Sequence, residues 1–443
     1  MPKELLKQLL NENPGELYTL FADAMPVDLA DAMASLTDEE LLALLPHISS
    51  AMLGVVVQEF DEVQANRLFS LISTERALEI INAMSGDDAA DLLNWLEDDL
   101  GERILTALPT DSPLHDLLSY EEESSGSIMT TEFLTVRPDW TVDKALQIIR
   151  AEAAQAETIY YTYVTDRKGR LVGVLSLREL VLAQPTAPIS SIMRSNPVQV
   201  TDDEDQEQVA ALFRRYDLMA LPVVDENGVL KGIVTGDDII DVVDDEATED
   251  IQRMAAMQPS DTPYLTTSIL KLAGQRFGWL LILMVSATFT GQIMRHYEEL
   301  LAQVVFLAVF IPMLMDTGGN AGSQSSTLVI RGLALGEIRI KDWWKVMGRE
   351  LAVSSLVGIG LAAVNFGRIL LIEKYPASVA LVVSLTLVIT IMLAKMVGGL
   401  LPILAQLVNI DPAIMAGPLI TTIVDALALI AYFNIAGTLL NLS

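Results

Sequence analysis

Five apolar stretches, at approximately residues 277–294, 300–315, 350–372, 377–404 and 412–440, constrain this chain more than any other feature. An α-helix needs about 20 apolar residues to cross the hydrocarbon core of a bilayer. Inside that core each backbone amide must find its partner within the protein. The stretches therefore read as five membrane-spanning helices, with the second conspicuously short. Lys and Arg concentrate in the loop before the third stretch, as Arg331, Arg339, Lys341, Lys345 and Arg349, while the opposite side holds only Arg295, Arg368 and Lys374. Cytoplasmic loops carry the excess of basic residues. The 316–349 loop is thus placed in the cytoplasm, the N-terminal half with it, and the C-terminus outside. The expected location is the cytoplasmic (inner) membrane.

The rest of the chain has the opposite character. Residues 251–443 carry 12 Lys and Arg against 10 Asp and Glu; the whole chain carries 28 against 59, which leaves 16 against 49 for residues 1–250. A mean hydropathy of +0.40 beside a net charge of −31 thus describes a soluble acidic half joined to a near-neutral apolar half. The acidic half repels phosphate, which excludes nucleic acid as a partner, and suits cations. With no Cys, the chain has no disulfide, thiolate metal site or thiol redox chemistry. Its opening residues, MPKELLKQLLNENPGEL, are amphipathic without an apolar core, so no secretory signal is expected.

Residues 1–120 show apolar residues at three and four spacing, as in Leu29, Met33 and Leu36, with helix starts at Thr37-Asp38-Glu39-Glu40 and Gly86-Asp87-Asp88. Weakly similar segments within them suggest a small helical solenoid. EEESSGSIM (121–129) reads as a linker. Residues 127–185 and 186–245 are a duplication, each copy running strand, helix, strand, turn, strand, helix. The turns Asp166-Arg167-Lys168-Gly169 and Asp225-Glu226-Asn227-Gly228 separate β-branched runs. This order, with Gly173, Ser176 and Glu179 matched by Gly232, Thr235 and Asp238, resembles a tandem pair of CBS domains. Residues 246–270 read as a connecting (plug) helix and a connector. The fold class expected is multi-domain: an α-helical solenoid N-domain (1–120), an α+β tandem CBS pair (121–245), the connecting helix (246–270), and a five-helix all-α transmembrane domain (271–443).

Three features carry chemistry. The second apolar stretch runs into DTGGNAGSQSS (316–326), which reads either as a broken helix lining a permeation path or as part of the cytoplasmic loop. Asp425 lies mid-span with Thr421 one turn earlier. An intramembrane carboxylate costs about 2.5–3.5 kcal/mol and faces a cavity or a partner; the alternatives are an ion path and an ion pair with Lys395. Finally, Asp241, Asp244, Asp245, Glu246, Glu249 and Asp250 crowd the stretch before the membrane. They read either as a solvated helix face or as carboxylates whose repulsion a divalent ion relieves.

PMLMDTGGNAGSQSSTLVIRGLALGEI (312–338) and DPAIMAGPLITTIVDALALIAYF (411–433) resemble the two membrane signatures of the MgtE family. AETIYYTYVTDRKGRLVGVLSLREL (156–180), DQEQVAALFRRYDLMALPVVDENG (205–228) and EATEDI (246–251) match that family's regulatory half. The resemblance implies a homodimeric magnesium channel that closes when cytoplasmic Mg2+ is high. It places the pore-ion carboxylate on Asp425 and pore-lining positions on Asp316, Gly318, Gly319, Asn320, Gly417, Pro418 and Thr421. It places ion-sensing carboxylates on Asp87, Asp91, Glu207, Asp217, Asp238, Asp241, Glu246, Glu249, Asp250 and Asp411. ATP contacts of some relatives fall on Tyr161, Arg178 and Glu179, with Glu179 standing where an Asp is found there. The expected partners are a second copy, the lipid bilayer and Mg2+.

Other classes lack their chemistry. A membrane metalloprotease needs paired metal-binding His, and the three His here (His47, His115 and His296) are scattered. An ATP-driven pump needs a phosphate-cradling GxxxxGK[ST] loop, which the chain does not contain. An ion-coupled carrier, or a broader transporter of manganese, cobalt or calcium, remains compatible with the sequence.

Overall fold

A computed structural model describes residue 21 and residues 24–110, 112–260, 262, 264–265 and 267–441. The amphipathic opening stretch lies outside the described residues. Two compact units divide between Asp244 and Asp245.

Among the described residues the first unit begins with short helices: α1 (Pro26–Ala34), α2 (Asp38–Leu44), α3 (Ser50–Val57), α4 (Glu62–Leu71), α5 (Thr74–Ile81), α6 (Gly86–Trp95), α7 (Asp98–Ala107) and α8 (Leu114–Leu117). Polar residues begin several of them by accepting orphan backbone N–H groups. Thr37 and Glu40 form a reciprocal capping box, and Ser49, Asp61 and Ser73 cap α3, α4 and α5. Successive helices stack on the helix two further on, α1 on α3, α3 on α5, α5 on α7 and α4 on α6, as a solenoid does. Leu29, Met33 and Leu36 are buried in the shared core.

The duplication folds into two sheets. The first has order β1 (Thr135–Val136), β2 (Tyr161–Thr165), β3 (Leu171–Ser176), β4 (Arg194–Ser195), with α9 (Val142–Glu152) and α10 (Leu177–Leu182). The second has order β5 (Val200–Thr201), β6 (Ala220–Val224), β7 (Leu230–Thr235), with α11 (Gln206–Tyr216) and α12 (Gly236–Met254). The register matches between copies: Val164 faces Gly173, and Val223 faces Gly232. Gly169 and Gly228 both take positive φ, +79° and +76°, in the turns that begin at Asp166 and Asp225. The two hairpins bind each other reciprocally, Leu171 N to Gly228 O at 3.0 Å and Leu230 N to Gly169 O at 3.1 Å.

Two expectations for this unit need correction. EEESSGSIM is more than a linker. Ser125 N donates to Glu204 O at 2.6 Å and Gly126 N to Asp202 O at 3.0 Å, so the segment is strapped onto the second copy, its polar backbone satisfied there. The connecting segment does not start as an element of its own at residue 246: α12 is one helix of 19 residues that includes the second copy's last turns, because no Gly or Pro interrupts it.

Among its described residues the second unit holds five helices long and apolar enough to cross a membrane. They are α13 (Ile269–His296); a span from Val305, made of a 3-10 turn and α15 (Ile311–Ala334); α16 (Trp343–Arg368), extended by a π-helical turn to Glu373; α17 (Ala377–Leu407); and α18 (Gly417–Leu439). The short α14 (Glu298–Gln303) joins the first two. Helices α15, α17 and α18 pack together as the core and α16 packs along α17. Helix α13 packs chiefly on α18 and buries none of its own residues.

The second span was expected to end near 315 and break at 316–326. Instead α15 runs unbroken through DTGGNAGSQSS. Its amides are satisfied within the helix, and the glycines serve approach rather than bending. A Cβ on Gly398 of α17 would collide with the backbone carbonyl of Gly322. The two helices cross at backbone contact there, as small residues allow in membranes. The basic loop accordingly shrinks to the residues between Ala334 and Ile340, with Arg331 in α15 and Lys345 and Arg349 in α16.

Candidate cation sites and ion path

The first unit gathers carboxylates from three segments. Asp87 and Asp88 stand in the first turn of α6, Asp238 and Asp241 at the start of α12, and Glu157 in the loop before β2. Asp87 is 7% exposed and its Oδ1 has no hydrogen-bond partner. Burial, then the charges of Asp238 and Asp88, pushes its pKa up to about 8. Asp88 is held above the usual carboxylate range by burial, partly offset by hydrogen bonds from Ser85 and Gln58. Asp238 is likewise raised by burial, with Thr235 hydrogen bonds opposing and Asp237 and Asp88 adding repulsion. Burial raises Glu157, followed by the charges of Asp238 and Asp237. Burial also raises Asp241, followed by Asp244. The folded unit thus concentrates negative charge where water is partly excluded, at a cost that a cation would relieve.

The fold brings Asp87, Asp238 and Asp241 of the expected residues into this cluster. Asp91 lies one turn further along α6, half-buried. Glu207 and Asp217 lie exposed at opposite ends of α11, where Asp217 ends the helix in a left-handed conformation, φ +51°. Sequence reasoning did not select Asp88, Asp237 or Glu157 as site residues. The Asp-Asp pairs at 87–88 and 237–238 were a usable signal for the first two. For Glu157 there was none, since a tertiary contact brings it in. Among the described residues no three Asp, Glu or His side chains converge as a ready-made metal cage. The oxygen-only donor set nevertheless suits a hard ion such as Mg2+, which keeps several of its waters and needs few direct protein ligands.

In the second unit the last turns of α12 meet the segment before α18. Arg253 pairs with both Glu249 and Asp411. Asp250 is raised by burial and by Asp411, with Arg253 opposing. Met254 packs with Ile330, Ala413 and Ala416, and a Cβ on Gly417 would stand 3.4 Å from Met254 O. Glu246 lies one turn before Glu249 and Asp250 on the same helix.

Among the membrane helices, Asp425 is half-buried on α18. Gly318 and Gly319 are buried against α18: added Cβ atoms would stand 2.8 Å from Val424 Cγ1 and from Thr421 Cγ2. Asp316 and Asn320 are exposed, and Gly417, Pro418 and Thr421 are intermediate. Lys395 is not the partner of Asp425. Its ammonium lies 4.0 Å from Glu350 and 3.2 Å from Ser325, whose hydroxyl donates to Glu350 at 2.5 Å. Glu350 was not foreseen, because it sits beside Arg349 at the basic end of its span.

The expected nucleotide positions are partly committed elsewhere. Glu179 accepts from the backbone N–H of Ser176, caps α10 with it, and pairs with Arg194 at 3.2 Å. Tyr161 begins β2 opposite Ser176, and Arg178 is exposed.

Comparison with known proteins gives a match at each level. Residues 311–435 match the MgtE model, described as a divalent cation transporter; residues 24–123 match the MgtE intracellular N domain; residues 126–185 and 189–245 match CBS domains. The magnesium transporter MgtE of Thermus thermophilus is 37% identical over 430 residues, covering 93% of this chain and 95% of that protein. The chain belongs to the MgtE family. The Bacillus subtilis magnesium transporter MgtE is 34% identical, over 95% of this chain and 93% of that one. The first unit is similar to a crystal structure of the soluble part of a magnesium transporter, at 34% identity and TM-score 0.53 over 55% of this chain and 98% of that one. It is also similar to the cytosolic domain of the Mg2+ channel MgtE in complex with ATP, at 37% identity and TM-score 0.52, over 54% of this chain and all (100%) of that one. The MgtE membrane match opens at the first residue of α15, so the tightly packed helices α15 to α18 carry the family's membrane pattern and the loosely attached α13 lies outside it.

Proposed function

We propose that this protein is a multi-pass channel of the cytoplasmic membrane that admits Mg2+ as a homodimer and closes when cytoplasmic Mg2+ is high. Membership of the MgtE family supports Mg2+ as the transported ion. The single observation that carries the regulation is Asp87, a buried carboxylate with an unpartnered oxygen beside the charges of Asp238 and Asp88. Hydrated Mg2+ bridging these groups favours the compact arrangement. Without it, neighbouring carboxylates that are ionised repel by about 1 kcal/mol per pair at 4 Å even under full water screening, and by more where burial excludes water. Several such pairs shift a two-state equilibrium by roughly two orders of magnitude. Helix α12 carries Asp237, Asp238 and Asp241 in its first turns and Glu249, Asp250 and Arg253 in its last, so one continuous segment of chain bears both sets of charges.

In the ion path, Asp425 and Asp316 supply carboxylates to a largely hydrated ion, and two-fold symmetry doubles them. The basic residues from Arg331 to Arg349 support a cytoplasmic location for their loop, and the reading puts the N-terminal half in the cytoplasm as well. The test is open probability in patches against cytoplasmic Mg2+, for wild type, for Asp425→Asn and for Asp238→Asn/Asp241→Asn/Glu246→Gln. Asp425→Asn should conduct poorly while folding normally; the triple variant should conduct and lose sensitivity to Mg2+. Steady single-channel currents separate a channel from a carrier, and competition by manganese, cobalt and calcium sets selectivity. An unshifted inhibition curve in the triple variant refutes the gating role.

Nucleotide binding at the CBS pair is a second reading, favoured by the ATP complex of the relative's cytosolic domain. Tyr161 and Arg178 would contact the base and phosphates. Because Glu179 already serves its helix cap and Arg194, the reading expects weak binding, measurable by calorimetry on wild type and Arg178→Ala.

A further inference from the structure

The Lys395–Ser325–Glu350 group stands apart from the path just described. It joins three helices beside the backbone contact of α15 with α17. Ser325 is one turn beyond Gly322 on α15, Lys395 one turn before Gly398 on α17, and Glu350 belongs to α16. All three are withdrawn from the surface: Lys395 is 6% and Ser325 1% exposed, and the Glu350 side chain is 14% exposed. The serine hydroxyl accepts from the ammonium and donates to the carboxylate, so the two charges are joined through it as well as by their own field. A charged pair inside membrane helices is costly and marks function more often than stability. Nothing about the packing alone requires it, since apolar side chains fill such space more cheaply.

We propose that Lys395 and Glu350 are affinity-determining residues for cation passage: a neutral pair that keeps the field at the ion path balanced. Ser325 lies about 13 Å along α15 from Asp316 at the helical rise. Asp316 lies two residues before Gly318, where a Cβ would stand 2.8 Å from Val424 Cγ1, the neighbour of Asp425 on α18. Seen from there, the intact pair is a weak dipole, whereas either member alone is a unit charge. At that distance and an effective dielectric of about 40, a unit charge changes the apparent affinity of a divalent ion about tenfold. The sign depends on which member is removed. Glu350→Gln leaves the ammonium, repels the ion and raises the Mg2+ concentration for half-maximal uptake. Lys395→Gln leaves the carboxylate and lowers it. This rests on the proposed reading of Asp425 as the ion-path carboxylate.

The experiment is Mg2+ uptake by the full-length protein in proteoliposomes, with half-saturation and maximal rate measured separately. The variants are Glu350→Gln, Lys395→Gln, the double variant and, in parallel, Asp425→Asn. Opposite shifts of about tenfold in the two single variants, with the double variant near wild type, support the inference. A merely structural node would lower the maximal rate in both and move half-saturation in the same direction or not at all; that result overturns it. If a single variant fails to insert, the electrically neutral double variant decides: a half-saturation far from wild type there overturns the inference. Normal uptake by Asp425→Asn defeats the ion-path reading and this inference with it. Impaired uptake there, with same-direction shifts at 350 and 395, defeats only the inference.

Discussion

Replacing Asp87 by Asn should make the soluble unit more stable at pH 8 and remove part of its response to Mg2+. Asp87 is 7% exposed, and its pKa in the folded unit is about 8, against an ordinary value of 3.8. A carboxyl group with a raised pKa keeps in the folded state a proton that the unfolded chain gives up. Stability is therefore complete below the unfolded value, and it falls as pH rises from about 4 to about 8. One proton corresponds to ~1.4 kcal/mol per pH unit between the two values, levelling off as the folded group ionises. Between pH 5 and pH 8 the wild type should lose about 3 kcal/mol more than Asp87→Asn. Asp88, Asp238 and Glu157 are raised too and add slopes of the same sign, so the difference between the two proteins isolates Asp87. The assay is urea unfolding of the soluble unit at pH 5, 6.5 and 8, in chelator and in millimolar Mg2+. Mg2+ should restore wild-type stability at pH 8, where its carboxylates are ionised, and do little at pH 5. Parallel pH–stability curves for wild type and variant, or equal stabilisation by Mg2+ at both ends of the range, would refute the reasoning.

Two further outcomes follow from the membrane unit. Gly398→Ala places a Cβ against the carbonyl of Gly322, which backbone cannot easily yield; overpacking of this kind costs about 1–3 kcal/mol or more. It should lower the thermal midpoint in detergent, and an unchanged midpoint would show that the α15–α17 crossing is loose. Arg253→Gln removes the cation that pairs Glu249 with Asp411, leaving those carboxylates and Asp250 to repel one another. Cleavage in the stretch 255–268 should then be faster without Mg2+ and recover more on adding it than in wild type, as limited proteolysis would read.

The sequence by itself determined the division into an acidic half and an apolar half, because charge and hydropathy are sums over residues that no folding alters. It also determined the number of spans, the paired hairpins and several helix starts: Thr37, with Glu40 three residues on, needs only its own neighbours to form a capping box. Span ends were less legible. The second span appeared to stop at Met315 because glycine is a poor helix former in isolation. Only the tertiary structure shows α15 continuing, since the gain from close packing on α17 and α18 becomes visible once those helices are in place. The same limit applies to charges. Asp425 and Lys395 were the evident intramembrane charges, yet Lys395 pairs with Glu350. Periodicity tells which residues share a helix face, not which face meets which helix. Glu157 reaches the acidic cluster, and Ser125 the second CBS copy, through contacts between residues far apart in the chain. Such contacts depend on how helices and sheets settle against one another to bury apolar surface and satisfy backbone polar groups, and that is decided in three dimensions.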